Sequence, residues 1–146
     1  MGDCGVPKGL STRDAFIDNA TAAQVVGEYT GTRFLNAAVE YITGHDTSAP
    51  LMMYLALHNT HGPIEALPQD VALYNKTFPW GLQQRYYGMT TAVDRTVGAV
   101  VAALKAKGLW DNTLVIWTTD NGAPVQVAGS NGGLRGGKGS NVRVPR

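Results

Sequence analysis

Cysteine and net charge are both nearly absent from this chain, and each shortage narrows what it does. One thiol, Cys4, excludes an internal disulfide. With 12 Lys and Arg against 11 Asp and Glu, the formal charge of +1 creates no field that would gather nucleic acid or an acidic membrane surface, so neither partner is expected. Long apolar runs are missing too. The longest, Leu51 to Leu57, falls far short of the ~20 residues a helix needs to cross a bilayer. Met1 to Leu10 has neither the basic nor the apolar region of a signal peptide, and Val6 stands where a myristoylation pattern asks for Ser or Thr. No targeting signal is legible. What remains, 146 residues of which 44% are apolar, suffices for one folding unit with a core.

The chain is organised around Thr113 to Gly122, Thr-Leu-Val-Ile-Trp-Thr-Thr-Asp-Asn-Gly. Leu114 to Trp117 reads as a buried parallel-sheet strand, and Asp120-Asn121 follow where such a strand delivers site residues. Leu51 to Leu57 reads as a second strand, ending in His58-Asn59-Thr60-His61-Gly62-Pro63. Helices are expected from Thr32, as cap, to Gly44, from Pro68 to Tyr74, and from Leu82 to Lys107 with Gly108 as the stop. On the last, Tyr86, Met89, Val93, Val97, Val100, Val101 and Leu104 trace one apolar stripe. Alternation of helix and strand predicts an α/β fold with a mainly parallel sheet. Residues 1–28 are expected to be irregular or weakly helical, with one or two helical turns in Arg13 to Tyr29, and residues 29–146 to form the functional domain. Ala123 to Arg146 is Gly-rich, and Asn19-Ala20-Thr21 and Asn75-Lys76-Thr77 are short glycosylation patterns that count only in a secreted protein.

His61, Asp120 with Asn121, and Lys138 carry the chemistry. A carboxylate and an amide oxygen suit a hard cation, and an imidazole and an ammonium suit an oxyanion, so together they suit a tetrahedral anion and its ester. Singly, each reads first as an ordinary turn or loop residue, and it is their company that favours the site. A zinc site using His58, His61 and Asp120 is a minority alternative. Gly132 to Lys138 has P-loop spacing, but Gly139 replaces the hydroxyl residue that must reach magnesium, and this excludes nucleotide hydrolysis by that motif.

In order and spacing, Tyr54-Leu55-Ala56-Leu57 leading to His61-Gly62-Pro63, Arg85-Tyr86-Tyr87-Gly88-Met89, Gly108-Leu109-Trp110-Asp111-Asn112-Thr113, Thr119-Asp120-Asn121-Gly122 and Leu134-Arg135-Gly136-Gly137-Lys138 resemble the type I sulfatases, the arylsulfatase-like branch of the alkaline phosphatase superfamily. The resemblance implies a partial α/β/α sandwich, with residues 29–146 as part of a sulfatase catalytic domain. It further implies a sulfate ester substrate, calcium held by Asp120 and Asn121, sulfate held by Lys138, and His61 beside the leaving oxygen.

The family's nucleophile is a formylglycine made in a Cys/Ser-x-Pro-x-Arg motif, expected in an N-terminal part that this chain does not show. Cys4-Gly5-Val6-Pro7-Lys8 misplaces the proline and replaces the arginine, so no nucleophile is assigned in this chain and the isolated chain is expected to be inactive. Asn141 runs straight into Val142-Arg143-Val144-Pro145, without the short insert usual in relatives, as a truncated or misjoined product would. The resemblance is compatible with a secreted or lysosome-like compartment. A non-catalytic anion-binding remnant, or part of a phosphatase or phosphodiesterase of the same superfamily, remains the alternative. Cys4→Ala is expected to leave sulfate binding by the chain unchanged, and the parent chain to show no aryl sulfate turnover; turnover by the parent chain that Cys4→Ala abolishes would restore Cys4 as a candidate nucleophile.

Overall fold

A computed structural model of the chain describes Phe16–Ile17, Ala20–Thr21 and residues 27–139. The sequence's longest helical pattern becomes its longest element. With α1 at Thr30–Gly44 and α2 at Pro68–Ala72, helix α3 runs Gly81–Ala106. Gly108, at φ +72°, ends α3 in the left-handed conformation that glycine adopts without strain, and Leu109 N–H closes back on Leu104 O at 2.9 Å. Pro68 opens α2 at its first turn, where a missing N–H costs nothing. α1 begins at Thr30, earlier than expected, because Tyr29 O accepts from both Thr32 N–H and Arg33 N–H; Thr32 therefore lies inside the helix and does not cap it.

α1 packs on α3 through Ile42, Ala103 and Leu104, with Val39, Leu51, Met53, Val100, Leu109 and Trp110 around them. Lys107 ties the same pair together by donating from Nζ to Thr43 O at 2.7 Å, at the electronegative end of α1. The buried side of α3 is Tyr86, Gly88, Met89, Ala92, Thr96, Ala103 and Leu104, offset from the expected valine stripe. Small residues mark where the neighbours come closest: a Cβ on Gly88 would stand 3.0 Å from Ala66 Cβ and 3.2 Å from Val71 N of α2. α2 is fastened further by Asp70, 1% exposed, which receives the guanidinium of Arg95 on α3. Tyr74, Phe78 and Tyr87 stack beside it, with Phe78 and Tyr87 parallel at 4.4 Å.

The strand expectations need correction. Among the described residues, the ladder present is a two-residue antiparallel pair, β1 (Phe16–Ile17) with β2 (Ala20–Thr21), in a segment expected to hold weak helical turns. Among the described residues no parallel sheet is formed. Leu51 to His58 alternates half-buried and exposed residues, with Leu51, Met53, Leu55 and Leu57 turned towards the helices, which is the period of a strand without the ladder. Leu114 to Trp117, expected in a sheet core, is exposed throughout, Leu114 by 86% and Ile116 by 77%. A run buried on both faces needs a layer above, a layer below and strands alongside. Among the described residues nothing supplies them for this run.

The Asp70–Arg95 pair yields an asymmetric expectation. Arg95→Ala leaves a fully buried carboxylate uncompensated and should cost about 3 kcal/mol, whereas Asp70→Asn leaves a guanidinium that is 44% exposed and still hydrated, and should cost about 1 kcal/mol. Urea denaturation of the two variants checks the order.

Candidate functional site

Three loops converge on one open cleft of about 1440 Å³. The first, Leu57 to Glu65, continues the extended run that packs on the helices. The second, Thr119 to Pro124, follows the exposed apolar run. The third, Ser130 to Gly139, is Gly-rich. His61, Asp120, Asn121 and Lys138 all line this cleft, so the residues singled out in sequence share one cavity although they come from three separate loops.

His61 stands in a turn closed by its own N–H on His58 O at 3.1 Å. Its ring Nδ1 lies 2.9 Å from Gly62 O. A carbonyl only accepts, so Nδ1 carries the proton and Nε2 is left with its lone pair and no partner among the described residues. The loop beneath it is tethered by Asn59, a residue the motif reading passes over. Asn59 Nδ2 donates to Tyr29 Oη at 2.9 Å and to Met89 O on α3 at 3.2 Å, while Tyr29 Oη donates to Glu65 O at 3.3 Å. A Cβ on Gly31 would meet Tyr29 Cε1 at 2.7 Å and Asn59 Oδ1 at 3.1 Å, so this tether closes only over a glycine. His58 turns away to meet Phe34 of α1 edge-on at 5.0 Å. Among the described residues no group of three His, Cys, Asp or Glu side chains comes together, so His58, His61 and Asp120 do not converge as a three-ligand cluster.

Asp120 Oδ1 accepts from Asn121 N–H at 2.8 Å, and Asn121 Nδ2 donates to Gly122 O at 3.0 Å. Thr119 Oγ1 donates to Asn121 O at 2.9 Å and fixes the turn. These bonds use the donors and leave Asp120 Oδ2 and Asn121 Oδ1 without a partner among the described residues. Both are hard oxygen donors of the kind calcium takes, so the pair fits that ion in type; two ligands are a fraction of the about six to eight that it coordinates. Across the cleft mouth, Lys138 N–H donates to Ala123 O at 3.0 Å, and Asn131 bridges the second and third loops. Nothing in the periodicity of the sequence points to Asn59 or Asn131. Asn59 reaches Tyr29 Oη and Met89 O, each 30 residues away, and Asn131 reaches backbone groups eight and five residues away; only the Asn-Gly turn signature at Asn131 hints at a structural role.

Comparison with known proteins assigns the chain. The sulfatase family model matches residues 5–145, nearly the whole length and well upstream of Tyr29, where the motif resemblance begins. The chain belongs to the sulfatase family. Among its relatives, mouse arylsulfatase J is 30% identical over 123 residues, covering 84% of this chain and 20% of that protein. Mouse steryl-sulfatase is 32% identical over 142 residues, 88% of this chain and 22% of its own length. Rat N-acetylgalactosamine-6-sulfatase is 32% identical over 104 residues, 70% of this chain and 18% of its own. The solved structure of Ps i-CgsB in complex with k-i-k-neocarrahexaose superimposes with a TM-score of 0.71 at 33% identity, over 77% of this chain and 25% of that one. The chain thus spans about a fifth to a quarter of the lengths of these relatives. Among the described residues no helix is long and apolar enough to cross a membrane.

The tether at Tyr29 sets a pH dependence. Burial raises the phenol above its ordinary 10.0, only partly offset by the hydrogen bond from Asn59. The folded state therefore holds this proton more tightly than the unfolded chain does. The stability so contributed is present below about pH 10 and is lost as pH rises through the raised value. Denaturation midpoints measured between about pH 9 and 11 should fall more steeply for the parent chain than for Tyr29→Phe.

Proposed function

We propose that this chain contributes the calcium-binding and sulfate-binding side of a sulfuric ester hydrolase site. The observation that carries the reading is one cleft lined by His61, Asp120, Asn121 and Lys138 in a chain of the sulfatase family. Asp120 Oδ2 and Asn121 Oδ1 are the oxygens that would hold calcium, which when bound neutralises charge on the ester's oxygens. The Lys138 ammonium, a point charge on a flexible stem, binds a sulfate oxygen from the opposite side. His61 presents Nε2 to the ester: protonated, it donates to the oxygen of the departing alcohol, with Nδ1–H held by Gly62 O so that the ring keeps one orientation. These roles divide the work of binding, charge neutralisation and proton donation among three loops. The attacking group is assigned to no residue of this chain, and covalent turnover is not expected from it alone. The α/β/α sandwich with a mainly parallel sheet belongs to the same proposal, as the setting in which the Leu51–Leu57 and Leu114–Trp117 runs gain strand neighbours.

Sulfate esters are the substrate class, since steryl-sulfatase and N-acetylgalactosamine-6-sulfatase share that bond and differ in the alcohol. A singly charged sulfate suits one ammonium plus a cation; a preference for phosphate would favour a phosphatase or phosphodiesterase site of the same superfamily.

Titration calorimetry with calcium and then inorganic sulfate tests this reading. Asp120→Ala should abolish calcium binding, and Lys138→Ala should weaken sulfate binding by about tenfold or more, the value of one charge-assisted contact. Unchanged affinities in both variants would remove the assignment, and phosphate binding more tightly than sulfate would transfer the site to phosphate chemistry.

A further inference from the structure

We propose that Asn131 is a positioning residue that latches the Asp120–Asn121 loop to the Lys138 loop, so that the cation side and the oxyanion side of the cleft move as one body. The inference rests on the reading of that cleft given above. Asn131 Oδ1 accepts from Ala123 N–H at 2.7 Å, and its Nδ2 donates to Gly136 O at 2.5 Å. A backbone N–H only donates and a carbonyl only accepts, so the amide has one allowed orientation and uses both of its ends. Lys138 N–H donating to Ala123 O, 3.0 Å, adds a second rung. Ala123 is therefore gripped at its N–H by Asn131 and at its carbonyl by Lys138, two residues after the candidate calcium ligands.

The glycines beside the latch show that closeness is what it needs. A Cβ on Gly122 would stand 3.1 Å from Asn131 Nδ2 and 3.2 Å from the backbone of Gly137, and a Cβ on Gly137 would stand 3.0 Å from Ala123 O. Neither residue has the positive φ that would itself demand glycine, in contrast to Gly132 and Gly136 in the same loop. Gly122 and Gly137 are small because the two loops touch backbone to backbone. Lys138 is one residue beyond that contact, so separation of the loops would swing its ammonium away from Asp120 and Asn121.

The test uses the whole 146-residue chain, labelled for amide-resolved spectroscopy, with inorganic sulfate as the probe. Asn131→Asp keeps the acceptor for Ala123 N–H but turns a carboxylate oxygen onto Gly136 O. Near neutral pH it should weaken sulfate binding about tenfold and speed hydrogen exchange at the Ala123 and Lys138 amides by a similar factor, with the thermal midpoint unchanged. In acid the introduced carboxyl gains a proton that it donates to Gly136 O, and affinity should return to that of the parent chain at the same pH. Gly122→Ala, which removes no hydrogen-bonding group, should give the same losses without the acid recovery. The latch is overturned if either variant keeps parental exchange at Ala123 and Lys138, if the Asn131→Asp loss does not recover in acid, or if that variant unfolds the chain as a whole. Failure of the parent chain to bind sulfate would instead defeat the functional reading, and the latch would then be judged on exchange alone.

Discussion

Helix α3 is the constraint on which the other contacts depend. It receives α1 through Ala103 and Leu104, α2 through Gly88 and Arg95, and the His61 loop through Met89 O. Three neighbours approach one helix, and several of its buried positions are small or flexible, among them Gly88, Met89, Ala92, Thr96 and Ala103. Larger side chains there would hold the neighbours apart and would leave Asp70 and Asn59 short of their partners. The buried carboxylate of Asp70 sharpens this, since it is stable in the interior only while Arg95 is held against it.

The candidate site is supported unequally. The His61 loop is tied into the helical body through Asn59 and Tyr29. The loops bearing Asp120 and Lys138 are tied chiefly to each other, beyond an apolar run that is itself exposed. In the mechanism proposed, charge recognition and proton donation thus belong to two bodies, and their relative position decides whether one sulfate reaches both. The donor arithmetic agrees with this division: Gly62 O, Asn121 N–H and Gly122 O engage His61 Nδ1, Asp120 Oδ1 and Asn121 Nδ2, and leave His61 Nε2, Asp120 Oδ2 and Asn121 Oδ1 without a partner among the described residues.

How much of this could be read from the sequence depended on the range of the responsible interaction. Pro68 and Gly108 act on their own backbone, and the ends they predict for α2 and α3 were legible for that reason. The four candidate residues, which line one cleft, could be singled out because each sits in a short pattern whose order along the chain marks it. The expected sheet has no counterpart among the described residues, because an apolar run such as Leu114 to Trp117 specifies burial but cannot provide the strands that bury it. The stripe on α3 was misjudged for a related reason: apolarity picked out Val93 and Val97, while packing chose Ala92 and Thr96 for their size. The bonds of Asn59 and Asn131 were not legible, since a side-chain amide that reaches across loops leaves no periodic trace.

The exposed run Leu114-Val115-Ile116-Trp117 carries a cost of another kind. It is flanked by Thr113 and Thr118, contains no charge and no proline, and has strand neighbours on neither edge among the described residues. Such a segment is a template for copies of itself, stacking into cross-β assemblies with interdigitated side chains. The residues that would make the best centre for a sheet are thus the place where concentrated chains would begin to aggregate, with Asp111 and Asp120 as the nearest charges set to resist it.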